Sequence, residues 1–179
     1  MSDDLLEVGV TLPVPPPWRR LLALLRTSVG DPLGAQIDPH ITLVPSTLIA
    51  DADLLDLAHH VDKVAAETHP FRIRLAGAGT FRPATAVVFA ALVAGAAECA
   101  ALAALLRSGP VAVPLERPFH PHVTAAHDIG EAGLDRAARY LDGFTAEFTA
   151  TGILLSARAS TGPAAPWIPV RLAGLGQPT

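Results

Sequence analysis

"FHPHVTAAHD" spans residues 119–128 and "DPHITLVPST" spans residues 38–47. The first stretch holds three of the chain's seven histidines. Both contain Pro-His, one aliphatic residue and Thr, giving His40-Ile41-Thr42 and His122-Val123-Thr124. In a strand, residues two apart point the same way. His40 and Thr42 therefore share a face, as do His122 and Thr124. Ile41 and Val123 point to the other face, where a core takes them. Each segment presents one imidazole and one hydroxyl, anchored from behind. If the two segments face one cleft, two imidazoles and two hydroxyls line it.

Working outward, each segment sits in the same order of elements. Residues 5–14 read as a strand. Residues 15–30 read as a helix with prolines in its first turn, Leu21, Leu22, Leu25 and Val29 at helical spacing, and Gly30 at its end. The first motif strand spans 35–45, stopped by Pro45. Residues 51–69 form a helix with Asp51 as N-cap and Leu54, Leu57, Ala58, Val61 and Val64 on one face. Residues 71–81 alternate as a strand. The second half runs strand 86–93, helix 96–107, motif strand 117–128, helix 131–141 and one long strand 144–158. A last strand covers 166–172. Each half thus gives strand, helix, His-x-Thr strand, helix, strand. This is an α+β chain, one domain over residues 1–179, with two related lobes.

Such a site can cleave a phosphodiester without metal. A neutral histidine takes a proton from attacking water, and a protonated one gives a proton to the leaving ribose oxygen. Both forms coexist near neutral pH because the unperturbed histidine pKa is about 6.5. An activity optimum around roughly 6–7.5 is expected. The imidazoles should lie on the order of 5–8 Å apart, close enough to span a phosphate. Threonine hydroxyls can donate to the non-bridging oxygens, where charge develops.

"HITL" at 40–43 and "HVTA" at 122–125 resemble the paired signatures of the 2H phosphoesterase superfamily, which includes 2′-5′ RNA ligase-like proteins and cyclic phosphodiesterases. "LAGAGTF" (75–81) followed by "AVVFAAL" (86–92) resembles the strand pair between the family's motifs, and "RPFHPHVT" resembles its approach to the second. The resemblance covers most of the chain. It implies a bilobal fold, two pseudo-symmetric lobes each with an antiparallel-rich sheet and flanking helices, and a central cleft. It implies action on a 2′,3′-cyclic phosphate or a 2′-5′ linkage of RNA ends or small nucleotides. His40, Thr42, His122 and Thr124 carry over as catalytic residues, with His122 as general base and His40 as general acid. The second motif departs from the family by running on into Ala125-Ala126-His127, where many relatives have a basic residue or a larger aliphatic.

Around the motifs, His120, Phe119, His127, Arg82 and Arg117 are candidates for touching substrate. His120 shares a face with His122, whereas His127 lies at odd spacing from it. A competing reading makes His120, His122 and His127 zinc ligands, with Asp128 or Glu116 as the carboxylate. It gives His40 and both threonines no role, so the expectation is no metal and no cofactor. A third reading is a non-catalytic nucleotide-binding module of the same fold.

Composition narrows the partners. The 179 residues are 50% hydrophobic and 17% charged, with net charge −4 and no Lys/Arg run. Extended binding along a nucleic-acid backbone needs clustered cations. A small anionic ligand needs only a local site. The single cysteine, Cys99, permits no internal disulfide and no thiolate-rich zinc site. Residues 86–106 are long and apolar enough to imitate a membrane span. Gly95 and Glu98 interrupt them, and a β-branched half gives way to an Ala/Leu half, so they read as strand, turn and helix. The acidic N-terminus reads as no signal peptide. The expectation is a cytoplasmic protein with no obligate protein partner.

Overall fold

The computed structural model describes residues 5–110, 115, 117–160 and 165–176. The elements are β1 (Leu5–Pro13), α1 (Trp18–Ser28), β2 (His40–Ala50), α2 (Leu54–Glu67), β3 (Phe71–Thr80), β4 (Val87–Ala94), α3 (Ala96–Arg107), β5 (His122–His127), α4 (Glu131–Leu141), β6 (Thr145–Ala150), β7 (Gly152–Ala159) and β8 (Ile168–Gly174). Among the described residues the strands form one antiparallel sheet in the order β6-β3-β4-β5-β2-β1-β7-β8.

The sheet has two four-stranded halves. Their seam is β2 against β5, where a single register pair, Ile41 opposite Val123, joins them. Helices α2 and α3 pack on the half containing β2, and α1 and α4 pack on the half containing β5. Each half thus has a sheet and two helices, as the α+β bilobal expectation required. Thr151 alone separates β6, at one end of the sheet, from β7, near the other. One intervening residue spans at most about 7 Å, so the sheet must curl until these strands meet. A helical layer about 10 Å thick does not fit inside such a curl. The helices lie outside, and the opposite face is concave.

Several sequence expectations need correction. β2 does not stop at Pro45 but runs on to Ala50. Val8 pairs with Thr47 and Val10 with Val44, so β2 carries an extra residue between them. Pro45 sits in that bulge, where a missing N–H is tolerated. Asp51 is no cap. A short 3-10 turn, Asp51–Asp53, precedes α2, whose N-cap Asp53 makes no side-chain capping bond. Leu21 faces outward on α1, while Leu22, Arg26 and Val29 are buried. The second motif strand begins only at His122. The single strand 144–158 is two strands. Ala146, Phe148 and Ala150 are buried before the break, and Ile153, Leu155 and Ala157 after it. The buried parity changes from even to odd, a one-residue slip that sends the chain to the other half of the sheet.

Residues 86–106 resolve into β4, a left-handed turn at Gly95 and α3, as read from sequence. No helix among the described residues is long and apolar enough to cross a membrane. Cys99 is fully buried, and burial together with the Glu98 charge pushes its thiol up to about 12, so it remains an inert thiol.

Candidate active site

The seam brings the two motifs side by side. With Ile41 opposite Val123, Thr42 lies beside His122 and His40 beside Thr124, all four on one face. Ile41, Leu43, Val123 and Ala125 are completely buried on the helix-covered face. His40, Thr42, His122 and Thr124 are half-buried on the concave face. His40 and His122 are diagonal neighbours across this antiparallel pair, positions that lie about 7–8 Å apart along the sheet. Thr11 of β1 stands opposite Thr42, and Phe89 and Ala91 of β4 stand opposite Thr124 and His122.

Both histidines are held by the same device. His40 Nδ1 bonds the Asp38 carbonyl at 2.7 Å, and His122 Nδ1 bonds the His120 carbonyl at 2.8 Å. A carbonyl only accepts, so Nδ1 carries the proton in each ring. Nε2 is then the titrating nitrogen, basic when the ring is neutral and a donor when it is charged. In both segments a proline separates the carbonyl from the histidine, and its fixed φ limits the wandering of that carbonyl.

Burial lowers both pKa values below 6.5, because the charged imidazolium is poorly solvated there. For His40, the Asp38 carbonyl opposes this, the Arg26 charge adds to it and the Asp38 charge counters it. For His122, the His120 carbonyl opposes it, and the charges of His120 and His40 add to it. These surroundings keep both rings neutral at pH 7.

An aromatic wall backs His122. The Phe81 and Phe89 rings each lie 5.0 Å from the His122 ring, and 5.4 and 5.3 Å from the His120 ring. Gly79 makes this arrangement fit, since a Cβ there would collide with the Phe89 ring. Phe81 and Phe89 were not among the sequence candidates. A glycine inside the alternating strand 71–81 was the available signal, because it marks a close approach.

The remaining candidates are scattered. His120 is exposed beside His122, with ring centroids 6.2 Å apart. Phe119 instead packs against the core, with the Arg107 guanidinium 5.8 Å over its ring. Arg82 is committed to helix α4, donating to Glu131 at 2.7 Å and to Asp135 at 2.8 Å. Arg117 is exposed. His127 closes β5, about 16 Å along the strand from His122, and its ring lies 3.4 Å from the Asp128 carboxylate. His122 and His127 are too far apart to share an ion. Glu116 lies outside the described residues. Among the described residues no group of three His, Cys, Asp or Glu side chains is placed to hold a metal.

The architecture is shared with solved structures. LigT of E. coli in complex with 3′-AMP superposes with a TM-score of 0.70 at 18% identity, over 97% of this chain and 99% of that one. The E. coli LigT complex with NADP+ gives 0.69 at 20% identity, over 97% and 100%. TT0787 of Thermus thermophilus gives 0.66 at 20% identity, over 95% and 98%. These matches define a LigT-like fold. The family described as the 2′-5′ RNA ligase superfamily matches residues 13–162, and the chain belongs to that superfamily. A protein of Oceanobacillus iheyensis, named provisionally as a phosphoesterase, is 31% identical over 99 residues. The match covers 55% of this chain and 58% of that relative.

Proposed function

We propose that the protein is a metal-independent phosphoesterase that opens a 2′,3′-cyclic phosphate, or cleaves a 2′-5′ phosphodiester, at an RNA end or in a small nucleotide. The observation that carries this reading is the matched pair of Nδ1–carbonyl bonds, which leaves the Nε2 atoms of His40 and His122 as the titrating nitrogens. Neutral His122 takes a proton from water as its oxygen bonds phosphorus. The bond from phosphorus to one ribose oxygen breaks, and protonated His40 delivers a proton to that oxygen. Thr42 and Thr124 donate to the two non-bridging oxygens. The substrate's negative charge offsets the desolvation that disfavours imidazolium, so binding itself loads one ring with its proton.

His120 and the aromatic wall border the phosphate position on the His122 side and contribute to substrate contact there. Arg82 and Phe119 are engaged elsewhere and His127 stands at the far end of β5, so this reading gives them no part.

A screen of 2′,3′-cyclic mononucleotides and 2′-5′ dinucleotides, with the product phosphate located, tests the reading. The expected result is turnover with the phosphate left on one defined ribose oxygen. Saturable binding without turnover across the panel would favour the non-catalytic nucleotide-binding module.

A further inference from the structure

A second aromatic feature stands on the other half of the concave face. Gly9 precedes Thr11 by two residues on β1, so both share the face of the His/Thr row. Trp167, just before β8, lays its benzo ring against Gly9. A Cβ there would lie 3.8 Å from Cη2 and 3.9 Å from Cζ3 of the indole. The Arg158 guanidinium lies over the same ring, 4.7 Å from its centroid. Arg158 Nε in turn donates to Glu7 Oε2 at 2.5 Å, and the Ser46 hydroxyl also donates to Glu7. The indole is thus held by the Gly9 backbone at its benzo ring and by the Arg158 guanidinium over the ring, and it stays partly exposed.

Its position suits one kind of ligand. Gly9 is about 7 Å along β1 from Thr11, and Thr11 is the cross-strand neighbour of Thr42 about 5 Å away, which puts Gly9 about 8 Å from Thr42. In a nucleoside, the base stands at a comparable remove from the 2′,3′ edge of its ribose. A flat, polarised ring on that side of the phosphate position matches the face of a nucleobase, and base–aromatic stacking tolerates any base. We propose that Trp167, backed by Arg158 and Glu7, is the stacking platform for the base of the nucleotide whose phosphate lies between His40 and His122. The assignment rests on the phosphoesterase reading and adds where the nucleoside lies: along the β1–β7 half, away from the Phe81–Phe89 wall.

The test separates the two claims. The chain has two tryptophans, so Trp18→Phe leaves Trp167 as the sole indole emitter; the difference between wild type and Trp167→Phe isolates the same signal should Trp18→Phe not fold. Titration with 3′-AMP should quench Trp167 fluorescence saturably, whereas ribose 5-phosphate should not. In turnover of 2′,3′-cyclic AMP, Trp167→Ala should raise KM roughly 5- to 100-fold, as expected for one lost stack, with kcat nearly unchanged. Trp167→Phe should recover most of the loss. Saturating 3′-AMP without quenching, or an unchanged KM in Trp167→Ala, would overturn the platform. If no cyclic phosphate is turned over, the hydrolase reading fails by itself, and quenching together with the calorimetric affinity of Trp167→Ala for 3′-AMP still decides the platform.

Discussion

At the scale of single residues, the proposed chemistry rests on two imidazoles that differ in surroundings but share a tautomer. Catalysis needs one neutral ring and one charged ring, so kcat/KM should peak between the two apparent pKa values of the pair. Burial lowers both His40 and His122 below 6.5. The peak of kcat/KM should therefore lie on the acid side of 6.5, below the centre of the range that unperturbed histidines suggest. Bound phosphate favours the charged ring, so the kcat profile should move to higher pH than that of kcat/KM. A pH–rate series on one cyclic nucleotide checks both statements, and coincident profiles centred above 7 would contradict them. The four motif residues were legible because alternation fixes which side chains share a face. Phe81, Phe89 and Trp167 were not, because their roles come from strand register and from glycines that sit opposite them in space.

At the scale of elements, one buried ion pair ties the approach to the first motif to the end of the second. Asp31 Oδ2 accepts from Arg26 Nε at 2.7 Å and from the His127 backbone N–H at 3.0 Å, and Oδ1 accepts from the Leu33 N–H at 2.9 Å. Both side chains are almost fully buried. Asp31 thereby holds α1, the turn that leads to β2 and the last residue of β5. Asp31→Ala leaves the Arg26 charge buried without that partner, and such breaks cost about 3–5 kcal/mol. Equilibrium urea denaturation should register that loss; a change below about 1 kcal/mol would show that the pair is not a structural link. Sequence periodicity placed α3 and α4 to the residue, because their apolar spacing is uninterrupted. It missed the β6–β7 break, although the change of buried parity across Thr151 was present in the alternation itself.

At the scale of the whole molecule, the seam between the two halves of the sheet brings both motifs onto one face, and the titration of their histidines bears on stability. A histidine whose folded pKa lies below its unfolded value refuses a proton that the unfolded chain accepts. The stability His40 and His122 contribute is therefore complete above about 6.5 and is lost as pH falls through that value toward their lower folded values. Inorganic phosphate in the cleft should favour protonation and offset this loss. Thermal unfolding should show Tm falling from pH 7.5 to 5.5, with added phosphate raising Tm more at 5.5 than at 7.5. A phosphate effect equal at both values would mean that the anion does not sit between the histidines. The bilobal α+β plan was legible from the family resemblance, whereas the repeated order of elements assigned one lobe to each half of the chain, and the structure instead builds one from β1, β2, β7 and β8 and the other from β3, β4, β5 and β6. The one-residue hop that closes the curl was not, since it depends on strands distant in sequence.

The central claim is that His40 and His122 act together without a metal. The direct measurement is hydrolysis of the best 2′,3′-cyclic nucleotide by protein shown to be metal-free by elemental analysis, for wild type, His40→Ala, His122→Ala and the double variant. Metal-free wild type should match untreated protein. Each single variant should lose roughly 10²–10⁴-fold in turnover, and the double variant less than the product of the two losses, because the residues work as a unit. Near-normal turnover by His122→Ala, or wild-type activity lost with metal and restored by added zinc, would contradict the account.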